Sequence, residues 1–143
     1  LLAFHARVDE LADIGPLTGA SVPILAQVAV ALHHGYGAVE AALVRIMRTL
    51  EGSLPQGRDW DQTLLADAAL EIEAVRPALL STATLVPLRR LLGFRHFFRH
   101  AYGLPFDPVR LEELRGIAIA ARPLVAADFG RIDELLAQLA SQI

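Results

Sequence analysis

The sequence predicts an all-α protein, an up-and-down bundle of four main helices with a short helix ahead of them. Three observations carry this. Apolar residues form 54% of the chain, with Leu, Ala and Val in excess. They recur three and four positions apart, which is one face of a helix. No stretch alternates with the two-residue period of a strand, and there is no internal repeat. At 143 residues the chain has the size of one domain, so residues 1–143 read as a single unit with its own core.

Leu1 to Ile14 puts Leu1, Phe4, Val8 and Leu11 on one stripe, a short amphipathic helix ended by Gly15-Pro16 and Gly19. From Ala20 to Leu50, the residues Leu25, Val28, Leu32, Val39, Leu43, Ile46 and Leu50 track one broad face. Pro23 lies near the start, where a missing N–H is tolerated. Gly35 and Gly37 predict a bend or a close helix approach in the middle. Arg45 and Arg48 suit the C-terminal end. Glu51 to Gly57 is a loop by composition, with Gly52 as the helix stop.

Asp59 predicts the cap of a third helix, from Trp60 to about Val75, ended by Pro77. Ser81 or Thr82 caps a fourth, running to about Tyr102, its first turn disturbed by Pro87. After Gly103-Leu104-Pro105, Asp107 at N-cap and Pro108 at N1 start the last helix. It runs to about Gln138, and Pro123 and Gly130 are expected to kink or split it.

The bulk chemistry excludes several classes. Without Cys there is no disulfide and no thiolate metal site. Every basic side chain is Arg. That removes Schiff-base chemistry and a P-loop lysine, and leaves guanidinium groups suited to phosphates and carboxylates. No unbroken apolar run reaches the roughly 18 residues of a membrane span. The closest, Val22 to Leu32, contains Pro23 and Gln27. Leu1-Leu2-Ala3-Phe4 has no basic segment before it and is not patterned as a signal peptide. A soluble, cytoplasmic chain with no membrane partner is expected.

The stretch Leu88 to Tyr102 departs from the rest. It holds Arg89, Arg90, Arg95 and Arg99 with His96 and His100, and no acidic residue, in a chain of net charge −3. Such a cluster on an acidic chain reads as an addressed site for an anion. Arg90 and Arg99 are candidate substrate contacts. On an ideal helix Arg95, Arg99 and Tyr102 share a face, whereas His100 lies about 140° from Arg95 at ~100° per residue. One straight helix cannot aim Arg95 and His100 at one point, so the site is expected to be composite, built from two copies of the helix.

The residue types fit RNA cleavage without metal. A His can withdraw the proton of a 2′-hydroxyl or protonate the leaving 5′-oxygen. An Arg can hold the scissile phosphate and stabilise charge growing on it. The bland reading of the same spacing is a surface Arg and a half-buried His within a solvated charge run. His96 and His100 also have the spacing of a helical metal pair. No third ligand stands at a matching spacing, so neither metal nor cofactor is expected. His33-His34 is expected to pack in the bundle or line the cleft, Trp60 and Phe97-Phe98 to be core or dimer interface, and Tyr36 with Glu40 to form a buried polar pair.

Arg95-His96-Phe97-Phe98-Arg99-His100-Ala101-Tyr102 resembles the Rx4–6H signature of the HEPN superfamily, and more narrowly the Rx4HxY motif of its HepT-like branch. His96 meets the family's preference for a polar residue directly after the Arg. His33-His34-Gly35-Tyr36 with Glu40, the loop Gly52-Ser53-Leu54-Pro55 leading to Trp60, and Arg76-Pro77-Ala78 are similar to further landmarks of that branch. The resemblance spans roughly Leu25 to Leu114. It departs at Gly35, where a larger residue is expected, and at Pro87 within the motif helix.

The resemblance implies a four-to-five-helix HEPN bundle that dimerises through the motif helices. It implies Arg95 and His100 as the ribonuclease pair, His96 as their support, and RNA or tRNA as substrate. It further implies a toxin of a type VII toxin–antitoxin pair. The partner would be an MNT-type minimal nucleotidyltransferase that silences the toxin by adding AMP to the motif Tyr, here Tyr102. Adenylylation there would set a bulky anion beside the Arg95 guanidinium. Two rivals stand beside this: a non-catalytic HEPN subunit that binds a nucleotide or serves an associated nucleotidyltransferase, and a purely structural helical oligomer.

Overall fold

The computed structural model describes residues 1–101, 103 and 105–143. Among them the regular elements are all helices: α1 (Leu2–Asp13), α2 (Val22–Glu51), α3 (Trp60–Ala68), α4 (Thr82–His100) and α5 (Pro108–Ser141). The all-α bundle expected from the apolar spacing is the fold observed. α2 is its axis and packs against each of the other four helices. Its buried stripe, including Leu25, Val28, Leu32, Tyr36, Val39, Leu43 and Met47, follows the three-and-four spacing. α1 lays Phe4, Val8 and Leu11 into the core, α4 adds Leu88, Leu91, Leu92 and Phe94, and α5 adds Leu111, Leu114 and Val125. Each such side chain contributes about 1.5–3 kcal/mol on burial. By length and composition α2 would be apolar enough to cross a membrane, although no unbroken run in it is. Its apolar stripe is the centre of this core.

Local chemistry sets most helix ends. Ser81 Oγ accepts the Thr84 N–H at 3.3 Å to start α4, and Asp107 Oδ1 accepts the Val109 N–H at 3.0 Å to start α5. Gly52 stops α2 at φ 73°, with its N–H on the Arg48 carbonyl at 2.9 Å. Asp59 occupies the N-cap position of α3, but its side chain makes no capping bond. The neighbouring Asp61 accepts the Gln62 N–H instead, at 2.9 Å. Gly35 is buried where α1 crosses α2: a Cβ there would stand 3.4 Å from Arg7 Cβ, so the two helices approach closely at this position.

Two boundary expectations are corrected. α3 ends at Ala68, not near Val75. The chain turns back through Ala74, at φ 64°, and an isolated bridge joins Ile72 to Arg76. Arg76 then donates to the carbonyls of Asp67 and Leu70, and the Leu79 and Leu80 N–H groups take that of Ala68. The acceptors that another helical turn would have used are thus satisfied from elsewhere. α5 is not split: it runs unbroken past Pro123 and Gly130. The carbonyl freed by Pro123 belongs to Ile119, and the one freed by Pro87 in α4 to Ala83. Both residues are exposed, so water can take the acceptor.

α4 and α5 are joined at Asp128, which is buried, accepts the Ser81 N–H at 3.0 Å and pairs with Arg131. Burial acts to raise the Asp128 pKa, but its polar contacts with Thr84, Ser81 and Arg131 outweigh that, and the carboxyl titrates below its ordinary value. A lowered native pKa gives stability that is fully present above the unfolded value near 4 and lost as pH falls through the native one. The melting temperature is expected to drop below about pH 4, and Asp128→Asn to flatten that drop. An unchanged acid dependence in the variant would assign it to other groups.

Candidate functional site

α4 presents two polar faces. One turns Arg95 toward α2. The other carries Arg89, Gly93, His96 and His100, spaced four, three and four apart, toward the side where α3 packs. Arg95 and His100 therefore diverge within one chain, as the helix geometry requires.

Arg95 is not a free cation. Its Nη1 lies 3.5 Å from Glu40 Oε1 of α2, its side chain is only 17% exposed, and its guanidinium carbon stands 5.7 Å from the Tyr36 ring centroid. Glu40 and Tyr36 are both buried. Burial first, then the Glu40 carboxylate, push the Tyr36 phenol far above its ordinary pKa, so it stays a neutral hydroxyl. The approach depends on Gly37. A Cβ at that position would stand 2.7 Å from Arg95 Nη1. The flexible end of Arg95 would yield before the backbone did. Gly37→Ala is therefore expected to lower stability only slightly, by about 1–2 kcal/mol: Ala is favoured over Gly by up to about 1 kcal/mol inside a helix, but the displaced Arg95 Nη1 weakens its pair with the buried Glu40. It should lower any activity that needs Arg95 by roughly 10–100-fold through its displacement. Melting curves and cleavage rates of the same preparation check both halves of this.

His96 is backed in the same manner. Asp61, in the first turn of α3, is buried, and its Oδ2 lies 3.0 Å from His96 Nε2. His96 also lines an open cleft of about 650 Å³ between α3 and α4, with Asp59, Gln62, Thr63, Ala66, Arg89, Leu92 and Gly93. Tyr36 Oη, Glu40 Oε2, Arg95 Nε and His96 Nε2 are buried without an aligned hydrogen bond among the described residues. Buried polar groups are seldom left so. Gathered in one seam of α2, α3 and α4, they mark a polar site inside an apolar bundle.

The remaining sequence candidates fall as follows. Arg99 and His100 are exposed at the end of α4, and Arg90 is exposed but paired with Glu113 of α5. The acid-free cluster is thus matched by carboxylates from three other helices: Glu40, Asp61 and Glu113. Tyr102 lies outside the described residues. His33 stacks on Phe98, centroids 4.5 Å apart, and burial, then the Arg95 charge, lower its pKa; His34 is exposed. Trp60, Phe97 and Phe98 pack against the core. Among the described residues no group of three or more acidic or His side chains is placed to hold a metal ion. Arg110 of α5, which the sequence did not single out, sits 5.1 Å over the Phe97 ring and adds a cation at this end of α4. Asp61 was also missed, because an acid in the first turn of a helix reads as a dipole partner.

The chain matches the family described as HepT-like protein over residues 27–136, which include Gly37, Glu40, Asp61, Arg95, His96 and His100. The chain belongs to the HepT-like family. No match was found among curated proteins, and none among solved structures. HepT-like proteins are a HEPN group generally related to ribonucleases, and α4 of this HepT-like chain carries Arg95 and His100, the Rx4H part of the pattern.

Proposed function

We propose that this HepT-like chain is a metal-independent endoribonuclease acting as a homodimer through α4. The observation that carries the reading is the C-terminal half of α4, where Arg95 and His96 are each held by a buried carboxylate and His100 stands exposed beyond them. In the reaction the 2′-oxygen attacks phosphorus and the P–O5′ bond breaks. One His accepts the 2′-hydroxyl proton and another delivers a proton to the 5′-oxygen. The products carry a 2′,3′-cyclic phosphate and a 5′-hydroxyl. Arg95 binds the phosphate and the charge that grows on it, and comes from the other copy because it leaves α4 on a different face from His100. Arg99, and Arg90 once released from Glu113, hold flanking phosphates.

The substrate is RNA or tRNA, and the chain is the toxin of a cytoplasmic type VII pair. An MNT-type nucleotidyltransferase silences it by adenylylating Tyr102. A second reading draws on the engagement of Arg95 by Glu40: a non-catalytic subunit that binds a nucleotide for an associated nucleotidyltransferase. One experiment separates them. Purified protein is incubated with RNA in EDTA, and the product ends are analysed. The ribonuclease reading expects cleavage that persists in EDTA, 5′-hydroxyl ends, and a loss of roughly 10²–10⁴-fold in His100→Ala. Products ending in 5′-phosphate, or cleavage unchanged in His100→Ala, would overturn it. Intact mass after co-expression with the nucleotidyltransferase tests the Tyr102 assignment by added AMP units.

A further inference from the structure

An in-line displacement needs two proton-transfer groups, one at the attacking and one at the leaving oxygen. His96 and His100 lie one turn apart on the same face of α4, about 6 Å along the axis, a spacing able to straddle one phosphate. They differ in support. His100 is exposed at the helix end. His96 has Nε2 buried 3.0 Å from Asp61, whose side chain is 4% exposed, while the His96 side chain as a whole is 39% exposed and lines the α3–α4 cleft. With Nε2 placed beside the carboxylate, Nδ1 is the ring nitrogen left for proton exchange with a ligand. A buried carboxylate behind an imidazole fixes its tautomer and stabilises the imidazolium that forms when the ring takes a proton.

The cleft suits a nucleotide. Gln62 and Thr63 of the lining can hydrogen-bond a base or ribose, Leu92 and Gly93 are its apolar part, and Arg89 supplies a cation for a phosphate. The charged groups around His96 are Asp61 beside its Nε2 and Asp59 and Arg89 in the cleft, while Arg95 on the neighbouring face of α4 pairs with Glu40 of α2.

We infer that the α3–α4 cleft seats the nucleotide bearing the attacking 2′-hydroxyl, and that Asp61 is the positioning residue that sets His96 to take that hydroxyl's proton. The inference rests on the ribonuclease reading and assigns to His96 the acceptor role and to His100 the donor role. The proton leaves O2′ for His96 as the O2′–P bond forms; His100 gives its proton to O5′ as the P–O5′ bond breaks.

The test combines kinetics with imidazole NMR on the full-length protein. Asp61→Asn should lower kcat at least about tenfold, a share of the roughly 10²–10⁴-fold that acid–base catalysis contributes, with KM little changed. His96→Gln should do the same, and the double variant should be no worse than His96→Gln, since both act through one group. Losses that multiply, or wild-type kcat in Asp61→Asn, would overturn the assignment. A dinucleotide whose attacking hydroxyl is replaced by hydrogen should perturb the signals of Gln62, Thr63 and His96, and perturbation only elsewhere would remove the cleft as its seat. Nitrogen shifts of neutral His96 should place its proton on Nε2 in the wild type and lose that preference in Asp61→Asn. This readout does not depend on cleavage. If the wild type cuts no RNA, the ribonuclease reading fails, while the tautomer still decides whether Asp61 positions His96.

Discussion

Arg95→Ala is expected to lower RNA cleavage about 10²–10³-fold, the usual loss for one donor to a developing oxyanion, and to destabilise the fold as well. The second effect follows from the surroundings of Arg95. Removing the guanidinium leaves Glu40 buried with no cation, and breaking a buried pair costs roughly 3–5 kcal/mol. Arg95 keeps an exposed edge, so about 2–3 kcal/mol, or roughly 10 °C in melting temperature, is the expected loss. A simple alanine variant therefore confuses a dead site with a weakened protein. Glu40→Leu in the same chain removes the stranded carboxylate and should recover most of the stability but none of the rate. Rates and melting curves for the wild type, both single variants and the double variant separate the two effects. Arg95→Ala with wild-type cleavage would remove Arg95 from the chemistry. Full stability in Arg95→Ala would instead mean that Glu40 does not depend on it.

The same residues mark where sequence reasoning ran out. The helices were legible because apolar spacing is local information: Phe4, Val8 and Leu11 announce α1 whatever they pack against. The starts at Ser81 and Asp107 were legible for the same reason, since a cap bonds within three residues. The end of α3 was not, because it is decided by Arg76, nine residues beyond Asp67 in the chain. The unbroken course of α5 was not either, since whether Pro123 breaks a helix depends on what its orphaned carbonyl meets. At the site, Leu88 to Tyr102 looked like a run of unopposed cations. Its counter-charges, Glu40, Asp61 and Glu113, sit on α2, α3 and α5, and no local count of charge can find them. Gly37 was visible as a glycine, but its purpose, room for the Arg95 guanidinium, exists only once α2 and α4 are side by side.

Arg76→Met is expected to cost the most stability of any single change in the chain, about 3–5 kcal/mol, or roughly 15 °C in melting temperature. The Arg76 side chain is fully buried in the turn between α3 and α4. Nη1 donates to the carbonyls of Leu70 at 2.7 Å and Pro77 at 3.1 Å, Nη2 to that of Asp67 at 2.9 Å, and Nε lies 3.2 Å from Glu51 Oε2 at the end of α2. Methionine fills similar space but removes every donor to the Leu70 and Pro77 carbonyls, leaves the Asp67 carbonyl only the Leu70 N–H, and strands the buried Glu51 Oε2 without a cation. Arg76→Lys should recover only part of the loss, because one ammonium lacks the planar fork that reaches both sides. The cost would be felt at the site. Glu51 ends the helix that carries Glu40, Asp67 ends the one that carries Asp61, and the turn leads into the one that carries Arg95 and His96. The pin joins the C-terminal ends of α2 and α3 to the turn that leads into α4, so loosening it lets the three carriers move independently. Denaturant unfolding of Arg76→Met and Arg76→Lys measures the stability, and cleavage at a temperature where the variant is still folded measures the transmitted effect. A loss under about 1 kcal/mol would mean that the turn holds its shape without the guanidinium.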